Sequence, residues 1–292
     1  MQGFDLPFQP IPQRLYTPAD LFQGIDLERP ASWAETLDFK IYRHSVIEAG
    51  AKPRNPYMGM MQALHDSAIM EATAVLVEGR KITAIIGDHA MRRDAAAYRD
   101  AARLARRLSR RGILVCTGGG PGAMEAGHLG AALANSADED LEAALARLGT
   151  QPEMPDLGKV VGADGEVDAA LVKEAWAWSK PAFELAASLK TPGESLAIPT
   201  WHYGHEPPSP FATHIAKYFQ NSIREDGMLA IAGNGIICLE GRAGTIQEIF
   251  QDSAQNYYES FGRFSPMVLV GVTYWTETYP VVGVLKRLFA DR

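Results

Sequence analysis

The sequence is short of residues that several large classes of protein require. It has only two cysteines, Cys116 and Cys238, each inside an apolar strand-like run. Two such thiols lack the spacing of a zinc site and read as reduced core residues of a cytoplasmic protein. Positive charge is scarce as well, with 28 Lys and Arg against 35 Asp and Glu and a net charge of −7. A binder of polymeric nucleic acid usually shows a basic face. The densest basic run, "RLARRLSRR" (103–111), reads here as the solvated side of a helix. No apolar run approaches the roughly 20 residues needed to cross a bilayer. The opening "MQGFDLPFQPIPQRLY" has no basic start before an apolar stretch, so no secretory leader is expected.

What is present is core: 47% of the residues are hydrophobic. Residues 1–80 read as an N-terminal extension, a proline-rich arm to about 56 and then a helix-like stretch. From there apolar strand-like runs alternate with helical patterns. The strand candidates are "KITAIIG" (81–87), "GILVCTGGG" (112–120), "KVVGA" (159–163), "SLAIPTW" (195–201), "MLAIAG" (228–233), "GIICLEG" (235–241) and "PMVLVGVTYW" (266–275). Helices are expected between them, near 166–190, 210–225, 244–259 and 279–290, with an acidic surface insertion at 136–158. Apolar strands alternating with helices predict an α/β, Rossmann-like doubly wound fold over 81–292, its mostly parallel sheet covered by helices on both faces. Ligands in such folds sit beyond the C-terminal ends of the strands.

Two glycine loops occupy such ends. In the first, "TGGGPGAMEAGHLGA" (117–131), Gly118, Gly120 and Ala123 satisfy a dinucleotide fingerprint, but the run follows the second strand and no ribose-binding carboxylate strand comes next. No Gly-Lys-Ser/Thr follows, so it is no Walker loop. A tight turn needs fewer glycines. Bare backbone N–H groups ahead of a helix N-terminus favour a phosphate cradle. In the second, "EGRAGTIQE" (240–248), the spacing of Thr245 and Glu248 fits a capping box. It also fits a phosphate on the Gly244 and Thr245 amides, with Glu248 facing a sugar whose developing positive charge it stabilises.

The two motifs, in this order, resemble those of the lonely-guy (LOG) family, GGGxxGxM and PGGxGTxxE, whose members were long mislabelled lysine decarboxylases. The resemblance covers roughly Ile82 to Trp275 and implies a Rossmann-like fold, usually dimeric. The implied activity is hydrolysis of the N-glycosidic bond of nucleoside 5′-monophosphates to free base and ribose 5-phosphate. It implies a binding set of Gly118, Gly119, Gly120, Gly122, Met124 and Glu125 from the first loop, with Gly241, Arg242, Gly244 and Thr245 from the second. Glu248 is then catalytic, together with an arginine upstream. The family spacing counts to Glu225, with Arg224 one position away. Glu240 and Arg242 depart from the pattern, standing where the family has proline and glycine. Neither cofactor nor metal is expected.

Three further segments carry expectations. His214, Lys217, Asn221 and Arg224 recur at three, four and three and predict a polar stripe on a helix, with Phe211, Ile215, Tyr218 and Phe219 opposite. In "GDHAMRRD" (87–94), Arg92 or Arg93 is a candidate for the phosphate, and Tyr98 matches an aromatic in the family's following helix. "IPTWHYGHEPPSP" (198–210) reads as a loop in which Trp201 and Tyr203 stack on a base. His202, His205 and Glu206 invite a metal reading that its prolines and glycine disfavour.

Overall fold

A computed structural model describes residues 6–48, 56–202 and 206–291. Six short parallel strands form one sheet: β1 Ile82–Ile86, β2 Leu114–Thr117, β3 Ser195–Ala197, β4 His214–Ile215, β5 Ile236–Cys238 and β6 Met267–Leu269. Their order is β4-β3-β2-β1-β5-β6, with register Ile82↔Leu114, Cys116↔Leu196 and Ala84↔Ile236. The fold is therefore α/β and Rossmann-like. The chain builds outward from β1 to β4, then returns to lay β5 against the other side of β1. The switch point of the sheet, where folds of this kind bind their ligands, therefore lies between β1 and β5.

The central strands are buried on both faces, which is why they read as continuous apolar runs. Ile85, Val115 and Ile237 face one core, packed against α4 Ala96–Ser109, α5 Ala123–Ala132, α6 Asp138–Leu148 and α7 Ala169–Ser188. Ile82, Ala84, Ile86, Cys116 and Cys238 face the other, against α3 Pro56–Val77, α8 Asn221–Ile231, α9 Ala243–Tyr257 and α10 Val281–Leu288. All ten residues of α5 are buried. It crosses α4 so closely that a Cβ at Gly130 would stand 2.0 Å from the Ala102 carbonyl oxygen, so only glycine fits there. No described helix is long and apolar enough to cross a membrane.

The N-terminal arm is not merely extended. It holds α1 Pro18–Leu21, a 3-10 turn at Pro30–Glu35 and α2 Leu37–Glu48. Phe8, Trp33, Phe39 and Ile41 bury with Ile215, Trp201 and Phe219 of the core in a third apolar cluster. Tyr16 adds an antiparallel bridge to Ile215 at the β4 edge.

Four expected elements differ. Residues 159–163 make a turn, where Gly162 donates to the Glu166 carbonyl and a lone bridge joins Val161 to Val167. Their apolar residues serve the third cluster rather than a ladder. The run at 228–233 is largely the end of α8, whose Met228, Leu229 and Ala232 bury at helical spacing against the sheet. The helix expected at 210–225 begins only at Asn221, because His214 and Ile215 pair with β3. Its polar stripe dissolves accordingly: Lys217 is buried in a loop, donating to Asp38 at 2.7 Å, and only Asn221 and Arg224 share a helix. The acidic stretch holds α6 over about half its length, with Leu141, Ala144, Leu145 and Leu148 in the core.

Candidate functional site

The first glycine loop leaves β2 under tension that its own residues resolve. Gly119 has φ +77 and donates its N–H to Thr117 Oγ1 at 2.8 Å. That hydroxyl lies 2.8 Å from His128 Nε2, and His128 Nδ1 lies 2.9 Å from Ser195 Oγ. Burial drives the His128 pKa down to about 3, so the ring is neutral. The neutral ring has one donor and one acceptor nitrogen, so one of the Thr117 and Ser195 hydroxyls donates to it and the other accepts from it. Gly122, the N-cap of α5, has φ +67, and a Cβ on it would meet the Asp88 carbonyl oxygen at 2.4 Å. Gly122→Ala is expected to cost about 1–3 kcal/mol and to push the loop off the β1 end. Urea unfolding, read beside phosphate affinity, checks both effects.

Asp88 ties the two loops together. Its carbonyl accepts the Ala123 N–H at 3.1 Å, its N–H donates to the Glu240 carbonyl at 3.1 Å, and its carboxylate lies 3.9 Å from Arg242 Nε. The bends after β2 and β5 therefore open onto the same end of the sheet. Arg242, largely exposed, faces Asp88, whereas the Glu240 side chain packs toward Gly271.

The second loop runs into α9, whose N-cap is Arg242, with no side chain capping it. Thr245 is thus the third residue of the helix and caps nothing, which overturns the capping-box reading. Gly241 has no room for a side chain, since a Cβ would sit 2.1 Å from Thr245 Oγ1. Gly244 is open, with nothing within 4 Å of where a Cβ would stand. The first amides of the helix have no intrahelical acceptor, and its positive dipole end is here.

Between the loops lie the two residues proposed for chemistry. Arg224 on α8 donates through Nε to the Ile198 carbonyl at 2.8 Å, and its Nη1 lies 3.5 Å from Glu248 Oε1. Its Nη2 covers Gly118, where a Cβ would stand 2.3 Å away. Arg224 rather than Glu225 therefore faces the loops. Glu225 is held by Asn221 at 2.7 Å and Gln247 at 2.6 Å. Glu248 is 8% exposed, and burial lifts its pKa to about 7, opposed by Arg224 and abetted by Glu225. A carboxyl titrating near neutrality beside a guanidinium suits proton transfer at physiological pH.

Other expected residues fall elsewhere. Glu125 is held in a buried triad with Arg93 and Tyr98. Arg92 lies on the surface, paired with Asp94 and Glu153. Met124 leans over the loop, its sulfur 2.7 Å from where a Gly118 Cβ would be. Trp201 is a core residue, 3% exposed and donating to Asp38 at 2.9 Å. Tyr203 and His205 lie outside the described residues.

A cavity of about 580 Å³ adjoins the first loop at Pro121 and Gly122, walled by His89, Arg92, Trp178, residues 152–158 and Glu206. Glu206 also leans over the loop, with Oε2 3.0 Å from a Gly120 Cβ position. Arg224 and Glu248 do not line this cavity. Sequence reasoning found neither Glu206 as a wall of the loop nor the His128–Thr117 brace. Both are contacts between different elements: Glu206 comes from the loop after β3, and His128 on α5 reaches back to Thr117 at the end of β2.

No model of a known protein family matches the chain, and no curated protein matches it either.

Proposed function

We propose that this protein hydrolyses the N-glycosidic bond of a nucleoside 5′-monophosphate, as the lonely-guy motifs imply. The observation that carries the reading is the Arg224–Glu248 pair, 3.5 Å apart between two glycine loops at the switch point of the sheet. The 5′-phosphate is bound by amides of the Gly118–Gly122 loop other than Gly119, whose N–H goes to Thr117, and by the α9 start, where helix-end dipoles favour an anion. Glu248, ionised, faces the ribose and stabilises positive charge as the C1′–N bond breaks and its electron pair passes to the base. Water adds to C1′, and its proton passes by way of Glu248 to the departing base, which returns Glu248 to its ionised form. Arg224 holds Glu248 in place and assists at the phosphate or the departing base.

A panel of nucleoside monophosphates incubated with the purified protein is expected to yield free base and ribose 5-phosphate from at least one member. Chromatographic detection of the base is the readout, and a folded protein that releases none defeats the proposal. A second reading, a nucleotide-binding sensor without chemistry, is favoured by Glu206 and Met124 leaning over the loop and by the altered residues 240 and 242. Calorimetric binding with no base released over hours selects it. We further propose a cytoplasmic homodimer, supported by two free, buried thiols and by exposed Tyr258, Phe264, Val268 and Val272.

A further inference from the structure

The start of α8 is capped from outside its own chain segment. Its N-cap, Gln220, makes no side-chain cap. Instead Asp66 on α3, 2% exposed, accepts the Phe219 N–H on Oδ1 at 3.0 Å and the Gln220 N–H on Oδ2 at 2.9 Å. A carboxylate there satisfies two amides at the helix entry and faces its positive dipole end. Asp66 is itself braced, with His65 Nδ1 at 3.1 Å, and His65 Nε2 is 2.9 Å from the Tyr16 hydroxyl. A carboxylate only accepts, so Nδ1 donates to Asp66. Phe8, Trp201 and Phe219 pack their rings around His65, which keeps water from this chain of bonds. One turn further along α8 stands Arg224.

We propose that Asp66, supplied by the N-terminal extension, is a positioning residue for the reacting pair: it fixes where α8 begins and so holds Arg224 against Glu248 and the Gly118 loop. This gives residues 1–80, which lie outside the family motifs, a part in the site. The kinetic arm of the test rests on the proposed hydrolase reading; the spectroscopic arm does not.

Asp66→Ala is expected to lower kcat about 10- to 100-fold, the scale that a displacement of about 1 Å costs a catalytic group. In an Arg224→Ala background the same substitution should change kcat less than about 2-fold, because the residue it positions is gone. An equal factor in both backgrounds means Asp66 merely holds the fold, and overturns the proposal. Independently, the ¹³C carboxyl signal of Glu248 is titrated in the whole protein without substrate. Arg224 favours the ionised form of Glu248, while Glu225 on α8 opposes it, and Cys238 on β5 and Asp252 on α9 complete its ionisable surroundings. Asp66→Asn, which keeps one acceptor and is used throughout if the alanine variant does not fold, should move the Glu248 midpoint upward as Arg224 withdraws. A midpoint that stays in place overturns the proposal even if the wild-type protein hydrolyses nothing. A midpoint that moves while no base is released leaves the positioning intact and removes the hydrolase reading instead.

Discussion

Glu248→Gln is expected to abolish base release, by 10³-fold or more on the scale of a lost charge-stabilising group, while leaving nucleotide binding within a few-fold. The same substitution should stabilise the fold. The Glu248 carboxyl has its pKa raised from 4.5 to about 7 by burial. The native state therefore holds a proton that the unfolded chain releases between those two values, and stability falls as pH rises through that window. At about 1.4 kcal/mol per unit, the ionised carboxylate costs the fold roughly 3 kcal/mol above pH 7. Glutamine carries no such cost, so the variant's advantage should grow from near zero at pH 4.5 to that order at pH 8. Thermal unfolding of both proteins across this range is the measurement. Asp252, whose pKa burial also raises to about 7, is present in both proteins, so only the difference between them is read. A variant that gains nothing at pH 8 would show that the carboxyl is not strained in the native state, and the case for tuned proton transfer at Glu248 would go with it.

The frame of the molecule was legible because it rests on local regularities. Strands buried on both faces read as unbroken apolar runs, and α4 exposes Arg99, Arg103 and Arg107 opposite buried Tyr98, Ala101, Ala102 and Ala105, with Arg106 alone of its arginines turned inward. The glycine loops were legible for a related reason: Gly119 and Gly122 take positive φ, and glycine is the residue that does so without strain. What was not legible depends on partners far away in the chain. Residues 228–233 are apolar enough for a strand, and only their burial against the sheet at helical spacing makes them the end of α8. His214 and Lys217 keep helical spacing with Arg224, yet β3 recruits His214 into a ladder, and Asp38, 179 residues away, takes Lys217. Thr245 and Glu248 keep capping-box spacing inside a helix that starts two residues earlier. Spacing alone cannot say where a helix begins when the cap comes from elsewhere, as it does for α8.

Glu125 is where the resemblance and the geometry part, and its substitution should have the largest effect on stability of any change to the first loop. The motif implies a binding residue beside the phosphate. In the fold its carboxylate accepts from Arg93 Nε at 2.7 Å and Nη2 at 2.6 Å, and from the Tyr98 hydroxyl at 2.8 Å. Both charged side chains are 1% exposed, and the guanidinium stacks 3.7 Å above the Trp178 ring while donating to its carbonyl. These three bonds take three of the roughly four acceptor positions of the carboxylate. Removing one partner from a buried pair strands the other charge in low dielectric, which costs about 3–5 kcal/mol. Glu125→Gln keeps the shape and strands Arg93, so its unfolding free energy from urea titration should fall by that amount. Arg93→Met with Glu125→Leu removes both charges and should recover most of the loss, because the desolvation of two ions is no longer required. Nucleotide affinity, measured at a temperature where each variant is folded, should stay within a few-fold of wild type. If affinity collapses in Glu125→Gln while the unfolding midpoint holds, the carboxylate serves the ligand, and α5 is anchored to α4 and α7 by packing alone.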